Sequence, residues 1–319
     1  MKMNDLKRSQ GFTIIEVVVT ISVAAIISIG LVSYISDSAD SLYDSSRRSK
    51  MASAGRTAID RMALELHNAL PRSIRVTPTT GLNPSGDQCI EFIPVRAATN
   101  YINPSFSGSG TMSFDVIEFF PTLEDTVASD AYAAIFPTNN TAILYDGDNP
   151  DGDYTQWPNF PARRPIQKIA TISDTDPSDM NISVVNLVTS HRFRRRSPTK
   201  RFFVVDQPVS FCVVEDKLYR YSNYGFFADQ VQREEGTGSP SCSVAAAHPD
   251  NRCLPDYSAI AEGRIKTLIT DSIDNKDIIA FGIGTQSLTR NSLVKIELNF
   301  SSEGDSLRLN HEVLTRSVP

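Results

Sequence analysis

Histidine, cysteine and tryptophan are scarce in this 319-residue chain, with four, four and one copies. The histidines, His67, His191, His248 and His311, are scattered and match no zinc-protease or deaminase spacing. No C-x-x-C pair offers half of a structural zinc site, and no G-x-S-x-G elbow offers a nucleophile. Gly81-Leu-Asn-Pro-Ser-Gly86 has the glycine spacing of a phosphate loop, but Asp87 stands where lysine is needed and would repel phosphate. A basic excess is missing as well. Lys and Arg number 31 against 37 Asp and Glu, a net charge of −6, which argues against a dedicated nucleic-acid binder. Sixteen glycines and 18 prolines carry no collagen or low-complexity signal. Catalysis is therefore not expected, and no cofactor is implied.

What the chain does have is an uneven spread of hydrophobicity. Residues 12–35 read FTIIEVVVTISVAAIISIGLVSYI, with one charge, Glu16. As a helix this run spans roughly 36 Å, enough to cross a hydrocarbon core. A secretory signal peptide fits poorly, because its apolar part is typically about 7–15 residues and ends in a small-x-small cleavage site. Ahead of the run, Lys2, Lys7 and Arg8 outweigh Asp5, a side-chain balance of +2. Beyond it come Asp37, Asp40 and Asp44. This asymmetry predicts a cytoplasmic amino terminus and an exported remainder.

Glu16 is the anomaly. A carboxylate in an apolar helix is costly and usually has a function and a partner. Positions 12, 13, 19 and 20, one turn away, hold Phe, Thr, Val and Thr, so no cation of this helix can neutralise it. Cleavage after Gly11 would create a cation, the amine of Phe12, and that amine on one subunit could meet Glu16 of a neighbour.

The order of these features resembles the prepilin processing motif of type IV pilins and type II secretion pseudopilins: a short basic leader, Gly11 | Phe12-Thr13-Ile14-Ile15-Glu16, then a long apolar helix. The resemblance implies cutting after Gly11 and methylation of Phe12 by a prepilin peptidase. It also implies docking through Glu16 against other major and minor pilins, with the lipid bilayer and the inner-membrane pilus assembly machinery as earlier partners. Many major pilins carry a proline late in this helix. Its absence here, with only Gly30 and Ser33 to soften the helix, favours a minor subunit.

Residues 36–70 are expected to continue the helix. Ile59, Met62, Ala63, Leu66, Ala69 and Leu70 follow helical spacing, while Asp60, Arg61 and Glu65 point elsewhere, and Pro71 stops it. Short strands follow at 89–95, 113–120, 181–188, 202–205 and 209–214. One hairpin is expected to turn at Glu215-Asp216, another around Ser302-Glu303-Gly304-Asp305 between 293–300 and 307–314. In the second, Ile296, Leu298 and Phe300 alternate with Glu297 and Asn299, predicting one buried and one wet face. Loops are expected at 97–112, 121–165 and 227–258. The organisation predicted is a leader (1–11), a transmembrane assembly helix (12–35), its amphipathic continuation (36–70) and an exported β-rich domain (71–319). The fold class is α+β, pilin-like, with the long helix packed on antiparallel sheet.

Cys89, Cys212, Cys242 and Cys253 form an even set, suited to an oxidising compartment. Of the three possible pairings we favour Cys89 with Cys212, both within predicted strands, and Cys242 with Cys253, which bracket a loop. Closing that loop would contribute roughly 2–3 kcal/mol. Asp146, Asp148, Asp151 and Asp153 gather four carboxylates in eight residues, but Pro150 breaks the EF-hand register and no glutamate closes it. A solvated turn is expected, with calcium as the alternative. Arg192, Arg194, Arg195, Arg196, Lys200 and Arg201 place six cations in ten residues, with Phe193 available for stacking. A solvated loop is the first reading, followed by a patch for a partner subunit and then by a nucleic-acid or glycan site. Loss of the leader takes the net charge from −6 to −8, so complementarity between subunits is plausible.

A second resemblance lies in the exported part. SPTKRFFVVDQPVSFCVV (197–214), LYRYSNYGF (218–226), QCIEFIPVRAATNY (88–101) and the final hairpin are similar to mannose-sensitive haemagglutinin (MSHA) pilus biogenesis proteins of the MshO type. It implies a minor pilin, related in layout to J-type pseudopilins and W-type minor pilins. The expected location is the inner membrane, as a single pass with a periplasmic domain, and then the pilus at the cell surface.

Overall fold

A computed structural model describes residues 12–77, 88–118, 131–137, 165–174, 182–226, 230, 233–234, 253–254, 265–284 and 292–315. The chain divides into two compact units, Met1–Ser53 and Ala54–Pro319. Among the described residues one helix, α1, runs Ile14–His67. In chain order the strands are β1 Arg75–Thr77, β2 Gln88–Phe92, β3 Val95–Asn100, β4 Thr111–Ile117, β5 Tyr132–Ala134, β6 Ile166–Asp174, β7 Ile182–His191 and β8 Arg201–Val205. They continue with β9 Val209–Val214, β10 Lys217–Ser222, β11 Arg233–Glu234, β12 Cys253–Leu254, β13 Ile265–Thr270, β14 Phe281–Ile283, β15 Ser292–Ser302 and β16 Asp305–Thr315. All pairings are antiparallel apart from the two-residue β11–β12 pair. The α+β reading holds.

The first unit is helix. Its apolar residues face outward: Ile14, Ile26 and Ile29 are each more than two-thirds exposed. α1 is long and apolar enough to cross a membrane. The second unit begins on the same helix, whose residues Ala58, Ile59, Met62 and Leu66 are buried. Gly55 sits so close to the β15–β16 hairpin that an added Cβ would lie 2.5 Å from Leu309 Cδ1 and 2.8 Å from Phe300 Cε2. The helix closes at His67, three residues before the expected end, because the Leu70 amide donates to the Ile93 carbonyl at 2.7 Å and Ala69 bridges Pro94. Sheet pairing has taken the last predicted turn.

Strands β1-β2-β9-β10-β13 form one sheet and β14-β15-β16 another. Both predicted hairpins are present, turning at Glu215-Asp216 and at Glu303-Gly304. The turn residues Glu303 and Gly304 take φ of 48° and 90°, the left-handed pair that suits a two-residue hairpin. Glu297 departs from the predicted wet face. It is buried, and it pairs with Lys295 at 2.7 Å and with Arg308 on the neighbouring strand. Two cations cover the carboxylate, so the face stays closed over it.

Between β2 and β9 the chain inserts a six-stranded sheet in the order β3-β8-β5-β6-β7-β4. Its outer strands meet. Tyr101 bridges Val116, and the Ile102 amide donates to Asp115 O at 2.8 Å, so the sheet closes into a small barrel. Tyr101, Phe114, Val116, Val185, Phe193 and Phe202 belong to the core that fills it. Strands β5 and β8 are buried on both faces, since Phe203 and Val205 pack outward in a second cluster with Leu70, Ile93 and Phe226. The predicted loop at 97–112 is therefore corrected: 95–100 and 111–117 are strands. The predicted loop at 121–165 contains β5, a central barrel strand.

Candidate functional site

The helix start is built from Thr13. Its carbonyl accepts the Glu16 and Val17 amides at 3.1 and 3.2 Å, and its Oγ1 accepts the Glu16 amide at 3.4 Å. Thr13 is thus the N-cap, with Phe12 just outside the helix and 77% exposed. The Thr13-x-x-Glu16 spacing is that of a capping box, a signal the sequence reading passed over. Glu16 occupies the first turn, where the helix dipole favours a negative charge.

Three other hydroxyls of this segment turn back onto the helix. Thr20, Ser22 and Ser28 hydroxyls donate back to the carbonyls of Val17, Val18 and Ala24 at 2.9, 2.8 and 2.7 Å. Such back-bonding hides a hydroxyl from lipid at little cost. Among the described residues the Glu16 carboxylate has no comparable partner. Phe12, just ahead of the helix, and Glu16, in its first turn, are both exposed, whereas Gly11 lies outside the described residues.

The second unit carries the remaining candidates. Cys89 and Cys212 stand directly opposite each other in β2 and β9 and form a disulfide, with Sγ–Sγ 2.07 Å, across 123 residues of sequence. Cys242, the Cys253 side chain and Asp146, Asp148, Asp151 and Asp153 lie outside what is described. Among the described residues no three His, Cys, Asp or Glu side chains gather as a metal site.

Arg192, Arg194, Arg195, Arg196, Lys200 and Arg201 are brought together at one end of the barrel, in and beside the β7–β8 connection. Phe193 is not a stacking platform; it is fully buried, edge-on to Phe114 at 5.6 Å and to His191 at 4.7 Å. Tyr101 anchors the same loop. Its hydroxyl accepts the Ser197 amide at 2.9 Å and donates to the Ser197 carbonyl at 3.2 Å. Burial pushes the Tyr101 phenol above its ordinary pKa, and the Ser197 contact opposes the shift.

An open groove of about 500 Å³ beside the helix end is lined by Leu64, Glu65, Arg96, Asp206 and Arg220 among others. Its charges are paired within the groove. The Arg220 Nε donates to both Glu65 oxygens at 3.0 and 2.9 Å, and Arg96 pairs with Asp206. This arrangement braces helix and strand and leaves no nucleophile beside a base. The Glu65–Arg220 pair spans 155 residues and has no sequence signal.

Residues 6–32 match the prokaryotic N-terminal methylation motif, the prepilin-type signature. No curated protein and no solved structure is significantly similar to this chain. The matched segment covers residues 6–11 ahead of the helix, the N-cap, Glu16 and all but the last three residues of the apolar run 12–35. Over that segment the chain is similar to type IV pilin-like proteins, and the helix it opens is long and apolar enough to cross a membrane.

Proposed function

We propose that the protein is a minor pilin that takes part in assembling a type IV pilus of the MSHA kind, after processing by prepilin peptidase. The observation that carries this reading is the methylation motif seated on a capped helix whose apolar first part, up to Ile35, holds one acid, Glu16, with no partner among the described residues. The leader holds the precursor with Gly11 at the cytoplasmic face of the inner membrane and the β-rich domain in the periplasm. Cleavage frees the amine of Phe12 next to the positive end of the helix dipole, where a cation is disfavoured and a carboxylate is favoured. Docking places that amine against Glu16 of an adjoining pilin. At about 4 Å and an effective dielectric of 20, such a pair gains about 4 kcal/mol before desolvation, enough to select one axial register. We place it with the MSHA kind and not with the type II secretion pseudopilins on the resemblance read in 88–101, 197–214 and 218–226 alone.

Mass spectrometry of the protein from sheared pili tests the reading. The expected mature terminus is methylated Phe12. Gly11→Glu is expected to leave the full precursor in the membrane, and Glu16→Ala to permit cleavage while depleting the protein from pili. A leader retained in cells with active prepilin peptidase overturns the proposal. Loss of secretion with intact pili, on deleting the gene, reassigns the protein to a secretion pseudopilus.

A further inference from the structure

The barrel has two unlike ends. At one, the chain enters through Pro94 and Val95 and leaves through Val205 and Asp206. The Asp206 amide donates to Pro94 O at 3.0 Å, and the Val95 amide donates to Asn68 O at 2.9 Å, which ties this end to the close of the helix. At the other end β3 finishes opposite the start of β8, Asn100 facing Arg201, and β7 finishes opposite the start of β4, His191 facing Thr111. The cationic β7–β8 connection therefore lies at the barrel end remote from the helix attachment.

This loop is held in one shape. Phe193 plugs it into the barrel, and its amide donates to Ser105 O at 2.9 Å. Arg192 donates to Gly108 O at 3.1 Å, and the Arg201 amide donates to Ser197 Oγ at 3.2 Å. Arg195, Arg196 and Lys200 are exposed on this frame. The Arg196 guanidinium lies over the Phe106 ring, 5.3 Å from its centroid, which limits its freedom. Lys200 adopts φ 54°, a left-handed backbone that glycine or asparagine fills at lower cost. A cation thus stands where local sterics favour another residue, in a chain of net charge −6.

We infer that this rim is a docking surface for an acidic polysaccharide, whose carboxylate or sulfate groups are taken by Arg195, Arg196 and Lys200. Guanidinium matches such oxyanions through paired hydrogen bonds. Nucleic acid fits less well. Base stacking needs a free aromatic face, and here Phe193 is in the core while Phe106 is covered by Arg196. Duplex DNA presents one charge per roughly 1.7 Å, a density that a net acidic protein repels more strongly than it repels a glycan with one charge per sugar or two.

The test uses the full-length protein in detergent and three immobilised probes: polygalacturonate, dextran sulfate and duplex DNA. Wild type is expected to bind at least one of the two glycans more tightly than DNA, with affinity falling as salt rises. Arg195→Glu with Arg196→Glu and Lys200→Glu is expected to weaken glycan binding more than about tenfold, with the Cys89–Cys212 disulfide and circular dichroism unchanged. Arg195→Lys with Arg196→Lys is expected to retain part of it. Binding that is unchanged in the triple variant overturns the inference, as does failure of wild type to bind either glycan. Tighter binding to DNA than to both glycans overturns it in favour of a nucleic-acid surface. Incorporation of the triple variant into pili is scored separately and is expected to be unaffected; its loss overturns the inference in favour of an acidic surface on a neighbouring subunit.

Discussion

The inserted barrel and the sheet that carries it are stabilised by different means. The barrel core is mostly aliphatic and phenyl among the described residues, with Tyr101 bonded to the Ser197 backbone and His191 edge-on to Phe193 as its polar margin. The β1-β2-β9-β10-β13 sheet instead buries a polar network. Fully buried Glu91 accepts from Arg75 Nε at 2.5 Å and from the Tyr224 hydroxyl at 2.8 Å, and Tyr224 also meets Ser210 Oγ at 2.7 Å. Gln88 donates to Ile278 O at 2.7 Å and accepts from the Ala280 amide at 2.6 Å, which binds the sheet to the segment ahead of β14. A disulfide then crosses β2 and β9, the two strands that flank the insertion. Apolar burial tolerates imprecision in direction; buried hydrogen bonds do not. The sheet therefore depends on its covalent clamp more than the barrel does.

Removing that clamp is the severest way to break the comparison. Cys89→Ala with Cys212→Ala opens a loop of more than a hundred residues, worth about 4–5 kcal/mol in the chain-entropy account. The expected outcome by hydrogen exchange is lost protection in β2, β9 and β10, with β6 and β7 still protected. Simultaneous loss in both regions would mean a single cooperative unit, and the distinction would fall.

How much of this was legible in the sequence depends on range. Glu16 and the apolar run announce themselves within one helix, and the two hairpins within a dozen residues each. Cys89 and Cys212 could be paired because each sits in a recognisable strand. The barrel could not be read. Tyr132-Ala133-Ala134 is too short to show periodicity, and the run Phe202–Val205 is apolar throughout because both of its faces are buried. Closure rests on the Tyr101–Val116 bridge and a few hydrogen bonds beside it, such as Ile102 to Asp115 and Thr99 to Ile117, which no local pattern encodes. The burial of Glu297 was missed for a similar reason, since one of its cations, Arg308, comes from the opposite strand. At the site, Thr13 was readable as a cap, and Phe193 was misread because a basic loop conceals a core residue.

Phe193→Ala is the reciprocal break, directed at the barrel. It leaves a cavity between Phe114 and His191 and is expected to cost about 3–5 kcal/mol. Exchange in β4 and β7 should rise while the disulfide still forms. The same change loosens the cationic loop, so glycan binding should weaken without any loss of charge. Failure of the disulfide to form in this variant would show that the sheet needs the barrel in order to fold.

The smallest effects fall where the helix meets the sheets, and they sharpen the comparison by separating packing from charge. Gly55→Ala drives a methyl into Leu309 and Phe300, an overpacking worth about 1–3 kcal/mol that salt should not change. Glu65→Gln removes a carboxylate gripped at two oxygens by Arg220, yet both side chains remain about a fifth exposed, at 22% and 20%. Solvent screening at that exposure holds the loss to roughly 1 kcal/mol. The loss should shrink further as ionic strength rises, because added salt weakens the wild-type pair and leaves the variant nearly untouched. Melting both variants at low and high salt checks the assignment. Equal salt dependence in the two would show that the helix is held at Glu65 by shape alone, and the ion pair would then be an accident of proximity.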